Sequence, residues 1–170
     1  MEHPTKKWYV LYVRHNTEIK VESHLKNEEY TCYLPIHTVY REYKGKRISI
    51  DRPLISGLVF VYIHADEIPV IEQFPNVYRF FCHRETNAPV VIPDKQMADF
   101  RFMTDLSGEQ IQVIAETIPA GTLVTIVKGS MQGIQGELVK YNKHYCIVVR
   151  LNELGCALVN IPISYIRRNK

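Results

Sequence analysis

The run LISGLVFVYI at residues 54–63 is the most apolar stretch of the chain. Its residues are mostly β-branched, aliphatic or aromatic. A strand covered on both faces of a sheet typically has such a run, without polar alternation. Its one glycine, Gly57, stands where a strand begins or where another surface comes close. We therefore expect this segment to form a central strand of a sheet.

A second run of this kind, WYVLYVR at residues 8–14, lies near the start of the chain. It predicts another central strand for the same reason. Asn16 or Thr17 can cap a helix that follows, and the apolar residues of that helix then fall on or near one face. The first elements are therefore a strand and a helix.

The elements between and after these two runs follow from apolar runs and turn residues. A strand at 31–36 is followed by a hairpin, whose arms at 39–43 and 47–50 flank Gly45 and a basic tip at 44–47. This part is completed by a short helix at about 66–74, a strand at 77–82, a short edge strand at 89–92 and a helix that begins at Pro93. The predicted order is β-α-β-β-α-β, with one short strand and a last helix added.

The pattern changes in the last third of the chain. Residues 105–117 are more polar and show no core periodicity, which predicts a linker between a domain at 1–104 and a second at 118–170. The second domain carries five short predicted strands, at 123–127, 134–141, 145–151, 157–161 and 165–166. Five short strands favour a small barrel, because closure hides their edges.

Three glycines are spaced four and three residues apart in VKGSMQGIQGELV, residues 127–139. Glycine is expected where the backbone needs a positive φ or passes close to a neighbouring strand. Many tight β-turns would produce this spacing. Together with the five strands, however, Gly129, Gly133, Ile134 and Gly136 resemble the KOW motif.

The resemblance extends to most of the chain. Residues 8–13, the helix after them and residues 53–61 resemble the N-terminal domain of the NusG/Spt5 family of transcription elongation factors, with its W-Y-x-x-x start and its P-G-Y-x-x-V-like strand. The family commonly has proline before the glycine and an aromatic residue after it, where this chain has Ser56 and Leu58. These departures favour a specialised member, similar to RfaH or to the UpxY regulators of capsule operons.

The resemblance implies an α+β fold. The first domain is expected to be a NusG-type αβ sandwich, an antiparallel sheet with flanking helices, and the second a small five-stranded, SH3-like β-barrel of the KOW type. The implied function is transcription elongation and antitermination. Such a protein binds the clamp helices of RNA polymerase and suppresses pausing or termination, in specialised members at operons such as surface polysaccharide loci. It is not an enzyme.

The resemblance also implies two binding surfaces on the first domain. An apolar patch on the sheet would face RNA polymerase, and such partly exposed patches usually mark protein interfaces. It maps to Val10, Tyr12, Ile55, Leu58, Phe60 and Val91. The turn and first helix would meet the non-template DNA strand, through cations that neutralise phosphates and through His and Asn side chains that hydrogen-bond or stack on bases. These residues are Arg14, His15, Asn16, Lys20, His24 and Asn27.

For the second domain the resemblance implies contact with a ribosomal protein of the small subunit or with the termination factor Rho. The apolar candidates for this contact are Met131, Ile134 and Ile163. RfaH-like barrels can refold as a helical hairpin. We expect a stable barrel here, because β-branched residues are frequent and each of the three glycines would cost roughly 1 kcal/mol in a helix.

The sequence gives less support to an enzyme, a metalloprotein, a membrane protein or an RNA-binding module. We find no catalytic constellation, no cofactor motif and no metal-ligand spacing among the seven histidines and four cysteines. No apolar run is long enough to cross a bilayer and no apolar signal core is present, so we expect a cytoplasmic protein without a membrane partner. The second hypothesis is an RNA-binding or ribosome-associated KOW module, although a net charge of +3 is modest for an RNA binder.

Overall fold

The computed structural model describes residues 4–107, 111–115 and 118–170. These fall into two compact units, one bounded by Met1–Pro35 and Pro53–Asp94, the other by Ile36–Arg52 and Lys95–Lys170. The elements in chain order are β1 (Lys7–Val13), α1 (Glu18–Asn27), β2 (Thr31–Tyr33), β3 (Ile36–Tyr43), β4 (Lys46–Pro53), β5 (Leu58–Ile63), a 3₁₀ turn (Ala65–Glu67), α2 (Ile68–Ile71), β6 (Val77–Phe80), α3 (Asp94–Ser107), β7 (Ile111–Ile114), β8 (Thr122–Ile126), β9 (Gln135–Tyr141), β10 (His144–Leu151), β11 (Gly155–Asn160), a 3₁₀ turn (Ile163–Tyr165) and β12 (Ile166–Arg168).

The first unit is built on a four-stranded sheet with the order β2-β5-β1-β6. Its strands pair antiparallel. The two apolar runs of the sequence form the inner strands β1 and β5, which confirms the prediction that both are central. Their register places Val10 opposite Phe60 and Tyr12 opposite Leu58. These four residues therefore share one face of the sheet, because side chains alternate along each strand.

The opposite face of this sheet carries the main core of the first unit. Tyr9 and Leu11 of β1 lie there with Val59 and Val61 of β5, and side chains of α1 and α2 join the cluster. The cluster comprises the buried residues Tyr9, Leu11, Val13, Val21, Leu25, Leu34, Val59, Val61, Ile63, Ile71, Val77 and Phe80. Burial of this apolar area is the main term that stabilises the unit.

In the second unit, β3 and β4 form a two-stranded sheet of their own. Lys44 and Gly45 both have positive φ at its turn, as expected for a two-residue hairpin connection whose twist matches the strands. The predicted hairpin and its basic tip are confirmed. Helix α3 buries Met97, Phe100 and Met103, and its Gln96 side chain accepts the backbone N–H of Asn152 at 2.8 Å.

The second unit also contains a six-stranded antiparallel sheet with the order β12-β8-β9-β10-β11-β7. All five predicted strands are present in it, with ends shifted by a few residues. The sixth strand, β7, pairs with β11. In the pairing order β12 and β7 are the two edges, so the five-stranded closed barrel remains a prediction.

The structure differs from the linker predicted at 105–117. Helix α3 reaches Ser107, and β7 occupies Ile111–Ile114, while residues 108–110 and 116–117 lie outside the described residues. The compact units also divide the chain differently from the predicted domains, because the hairpin and most of α3 fall in the second unit. Ile111–Ile114 was missed because four residues, flanked by polar ones, are too few to show a strand period.

The three KOW-like glycines occupy positions that require glycine. Gly129 and Gly133 have φ of 87° and 99°, a region that L side chains rarely adopt. A Cβ on Gly136 would lie 2.6 Å from Cγ2 of Ile147 and 2.9 Å from the carbonyl oxygen of Val148. Both physical reasons given for glycine in this motif are therefore confirmed. No helix in the described part of the chain has the length and apolar character needed to cross a membrane.

Candidate protein and nucleic-acid interfaces

The predicted apolar patch is partly assembled by the sheet. Val10, Tyr12, Leu58 and Phe60 share the face opposite the main core, as their register shows. Val10 and Phe60 are 0% exposed and Leu58 is 7% exposed, whereas Tyr12 is half-buried. The expectation of a partly exposed patch is therefore wrong for three of the four. The reason lies in the sequence itself, because the runs that contain them are typical of strands covered on both faces.

The other two residues predicted for this patch behave differently. Val91 packs against the core cluster on the opposite face of the sheet, so it does not join the patch. Its neighbour Ile92 forms a β-bridge with Trp8. Successive side chains of an extended segment point to opposite faces of a sheet, so the Val91 side chain lies on the other face. Ile55 is half-buried in the irregular segment before β5.

The accessible part of this face lies at the β6 edge. The Tyr12 ring meets the Phe81 ring edge-on at a centroid distance of 5.7 Å. The Arg79 guanidinium lies 5.2 Å from the centroid of the Tyr12 ring, within range of a cation–π interaction. We call Tyr12, Arg79 and Phe81 the β6-edge cluster. Arg79 and Phe81 were missed from the sequence, because only the register of β6 on β1 places Arg79 opposite Tyr12.

The turn between β1 and α1 presents three exposed polar residues in succession, Arg14, His15 and Asn16. Asn16 takes a left-handed φ of 64°, a conformation that asparagine tolerates better than most residues. Thr17 lies at the N-cap of α1, as predicted. Its hydroxyl does not cap the helix but donates to the carbonyl oxygen of Arg14 at 2.6 Å, which tightens the turn.

A buried carboxylate supports this turn. Glu18 is 3% exposed, and its Oε1 accepts the backbone N–H of Gly57 at 2.8 Å. Ser56 Oγ lies 3.5 Å from the same oxygen and 2.7 Å from Nδ1 of His15. The Val13 N–H donates to the Gly57 carbonyl at 2.9 Å. Together these contacts join the start of α1 and the end of β1 to the segment before β5.

The local sequence does not mark Glu18 as a buried residue. A carboxylate in the first turn of a helix gives no sign that it turns inward, since such residues are common there. The partner at Gly57 is also 39 residues away in sequence. Only the fold could show the contact.

The remaining residues predicted to meet DNA lie on α1. Lys20, His24 and Asn27 are spaced by four and three residues and so line one side of the helix. Lys20 and Asn27 are exposed. His24 is half-buried, because its ring packs edge-on against Phe74 at a centroid distance of 4.6 Å. The structure therefore presents Lys20 and Asn27 as accessible groups, and His24 less so.

The β3–β4 hairpin carries a net positive charge. Residues 36–52 carry five Lys or Arg and two Asp or Glu, a net charge of +3. The rest of the chain carries 16 of each sign, which is 21 less 5 and 18 less 2. The whole formal net charge therefore resides in these 17 residues.

Aromatic side chains accompany the charges on this hairpin. The Arg47 guanidinium lies 4.1 Å from the centroid of the Tyr40 ring, and the Lys44 ammonium lies 5.4 Å from that of Tyr43. Both tyrosines are exposed. Basic groups interleaved with exposed aromatic rings suit contact with nucleic acid, whose phosphates take the charge and whose bases stack on the rings.

The chemistry of the cysteines gives no further site. All four are free, and burial raises the pKa of the Cys32 thiol to about 11 and also raises that of Cys146. Within the described ranges, no group of three or more His, Cys, Asp or Glu side chains is placed to hold a metal ion.

Comparison with known proteins found similar solved structures and a matching family. A solved structure of NusG from Thermotoga maritima matches with a TM-score of 0.51 and 17% identity, covering 98% of each chain. A chain of the MjSpt4:Spt5 complex in conformation A matches with a TM-score of 0.31 and 13% identity, covering 95% of this chain and 97% of that one. The family described as "Transcription termination factor nusG" matches residues 6–101, more than half of the chain. The protein belongs to the NusG family.

Proposed function

We propose that this protein is a transcription elongation factor that binds RNA polymerase through its first unit. The observation that carries the proposal is the family match over residues 6–101, which spans the sheet and all six residues predicted for the polymerase face. The β6-edge cluster supports it, because an exposed arginine over a half-buried tyrosine is typical of protein interfaces. Tyr12 would contact the polymerase directly.

The buried residues of the same face have a supporting role in this proposal. Tyr12 is held in place by the buried residues of its own face of the sheet, which are Val10, Leu58 and Phe60. The clamp helices of the polymerase are the proposed docking site. An elongating polymerase held by this factor would pause or terminate less often.

The proposal extends to nucleic acid. The exposed turn of Arg14, His15 and Asn16, with Lys20 and Asn27 on α1, offers both charged and neutral hydrogen-bonding groups. The non-template strand of the transcription bubble is the proposed ligand, because splayed bases can accept such contacts. The basic hairpin, with its exposed tyrosines, would add phosphate contacts.

For the second unit we propose a role as a KOW module that contacts a small-subunit ribosomal protein or Rho. Of the three apolar candidates, Met131 and Ile134 are buried, so Ile163 is the accessible one. Recruitment to particular operons, as in specialised members of the family, is part of the same proposal. The departure at Ser56 supports it, since this residue contacts His15 on the exposed turn.

A second candidate is an RNA-binding or ribosome-associated module. The basic hairpin favours it, because nucleic acid of either kind would be attracted to that charge. Transcription by purified core RNA polymerase on a template with a defined pause separates the two. We expect the protein to shorten the pause in the absence of ribosomes. Unchanged pausing, together with tight binding to free RNA, would favour the RNA module.

A further inference from the structure

We infer that Ser56 is a positioning residue, held beside the buried carboxylate of Glu18, that fixes the His15 imidazole for contact with single-stranded nucleic acid. The inference rests on the proposed function and deepens it. It assigns one atom, Nε2 of His15, as a hydrogen-bond donor to the ligand. It also assigns Ser56 and Glu18 the task of holding that donor in place.

The geometry begins with the backbone. Gly57 has a φ of 76°, and a Cβ placed on it would lie 3.4 Å from Cε1 of His15. The Cε1 and Nδ1 atoms of the imidazole therefore lie close to the glycine, and Nδ1 contacts Ser56. The Glu18 carboxylate fixes this glycine by accepting a hydrogen bond from its backbone N–H at 2.8 Å. The ring is thus located by a backbone segment that a buried group immobilises.

The tautomer assigned to His15 follows from the two contacts of the Ser56 hydroxyl. The Ser56 hydroxyl has one hydrogen, and two acceptors compete for it: His15 Nδ1 at 2.7 Å and Glu18 Oε1 at 3.5 Å. Glu18 Oε1 already accepts the Gly57 N–H, and 3.5 Å is long for an O–H···O bond. The 2.7 Å contact is the better place for the Ser56 hydrogen, so the inference assigns that hydrogen to the bond with Nδ1 and the hydrogen of the neutral ring to Nε2.

The surroundings of the ring determine its ligand. His15 is exposed, and its neighbours Arg14 and Asn16 are exposed as well. An arginine that neutralises phosphate, beside a ring donor and an amide, matches the acceptors of a splayed strand: phosphate oxygens, base carbonyls and ring nitrogens. A duplex occupies the Watson–Crick edges of its bases by pairing, whereas a single strand leaves them open to these donors. A single strand is therefore the favoured ligand.

The tautomer can be measured without any ligand. Long-range ¹H–¹⁵N correlation spectra of the full chain, recorded at alkaline pH, distinguish Nδ1–H from Nε2–H in His15. We expect the Nε2–H form in the wild type and a mixture of forms in Ser56→Ala. A dominant Nδ1–H form in the wild type would overturn the inference. A merely structural serine would leave the tautomer unchanged.

Binding is then followed by titrating the same samples with short single-stranded DNA of mixed sequence. Ser56→Ala should weaken binding roughly threefold to tenfold, the value of about one hydrogen bond, and Ser56→Thr, which keeps a hydroxyl, should restore it. The exposed Ser130→Ala is the matched control and should bind like the wild type. Circular dichroism establishes that every variant is folded.

The outcomes separate this inference from the proposed function. Wild-type protein that binds no single-stranded DNA would overturn the nucleic-acid part of the proposed function, and the inference with it. If Ser56→Ala binds single-stranded DNA as tightly as the wild type does, the inference alone is overturned. Equal loss in Ser56→Ala and Ser56→Thr would also overturn it, since the hydroxyl would then not be the group that matters.

Discussion

The carboxylate of Glu18 accepts the backbone N–H of Gly57 at 2.8 Å, although 39 residues of sequence separate them. Glu18→Ala would leave that buried N–H without its partner, so we expect the free energy of unfolding to fall by about 1–3 kcal/mol. Glu18→Gln keeps an acceptor oxygen in the same place and should cost less. Urea unfolding of both variants measures the difference, and equal stability of Glu18→Ala and wild type would contradict the role given to this contact.

The basic hairpin should dominate the salt dependence of nucleic-acid binding. Replacing Lys44 and Lys46 by Ala removes two of its five cations, so the slope of log affinity against log salt should fall by about 2. Binding to single-stranded DNA is measured at several salt concentrations. The matched control replaces two exposed lysines of the second unit, Lys140 of β9 and Lys143 of the β9–β10 turn. If both pairs change the slope equally, the hairpin has no special part.

Gly136 should be the least replaceable glycine of the KOW-like motif. The Cβ of Gly136→Ala would collide with Ile147 and the Val148 backbone, so we expect a loss of about 1–3 kcal/mol of stability. Gly133→Ala meets open space and is strained only by its positive φ, with an expected cost nearer 1 kcal/mol. Thermal unfolding of the two variants gives the order, and the reverse order would contradict the packing described.

The ion pair between Glu137 of β9 and Arg150 of β10 should make the second unit sensitive to acid. The hydrogen bond from Arg150 lowers the pKa of Glu137, while burial opposes this and the Gly121 N–H adds to it. A lowered pKa means that the contribution is fully present above the unfolded-state pKa of about 4.3. It is lost as pH falls through the folded-state value.

Glu137→Gln tests this dependence. The variant should be less stable than the wild type at neutral pH, and the difference should shrink as the pH falls below about 4. Urea unfolding at a series of pH values gives both curves. A difference that stays constant down to the lowest pH would show that the charge of Glu137 is not what stabilises the sheet.

Much of the fold could be predicted from local sequence. The runs at 8–14 and 54–63 contain no polar alternation, and they became the inner strands β1 and β5. Gly45, between two segments that contain β-branched and aromatic residues, predicted the hairpin. The glycines of the KOW-like motif predicted tight backbone geometry, and the positive φ of Gly129 and the close approach at Gly136 agree with that.

The site was less predictable, because its contacts join distant parts of the chain. Ser56 meets His15 across 41 residues, and no local pattern indicates that pairing. Val91 was assigned to the wrong face because the side of an extended segment depends on its bridge to Trp8, which the sequence does not show. The burial of Val10 and Phe60 was missed since an apolar strand residue can face either a core or a partner.

The most direct test of the central claim is retention of core RNA polymerase by the immobilised full chain, with nuclease present. The account predicts that the wild type and the matched control Tyr145→Ala, an exposed tyrosine of β10, retain the polymerase. Tyr12→Ala should weaken retention at least about tenfold while remaining folded. Loss of wild-type binding once nucleic acid is removed would contradict the account and favour the RNA module.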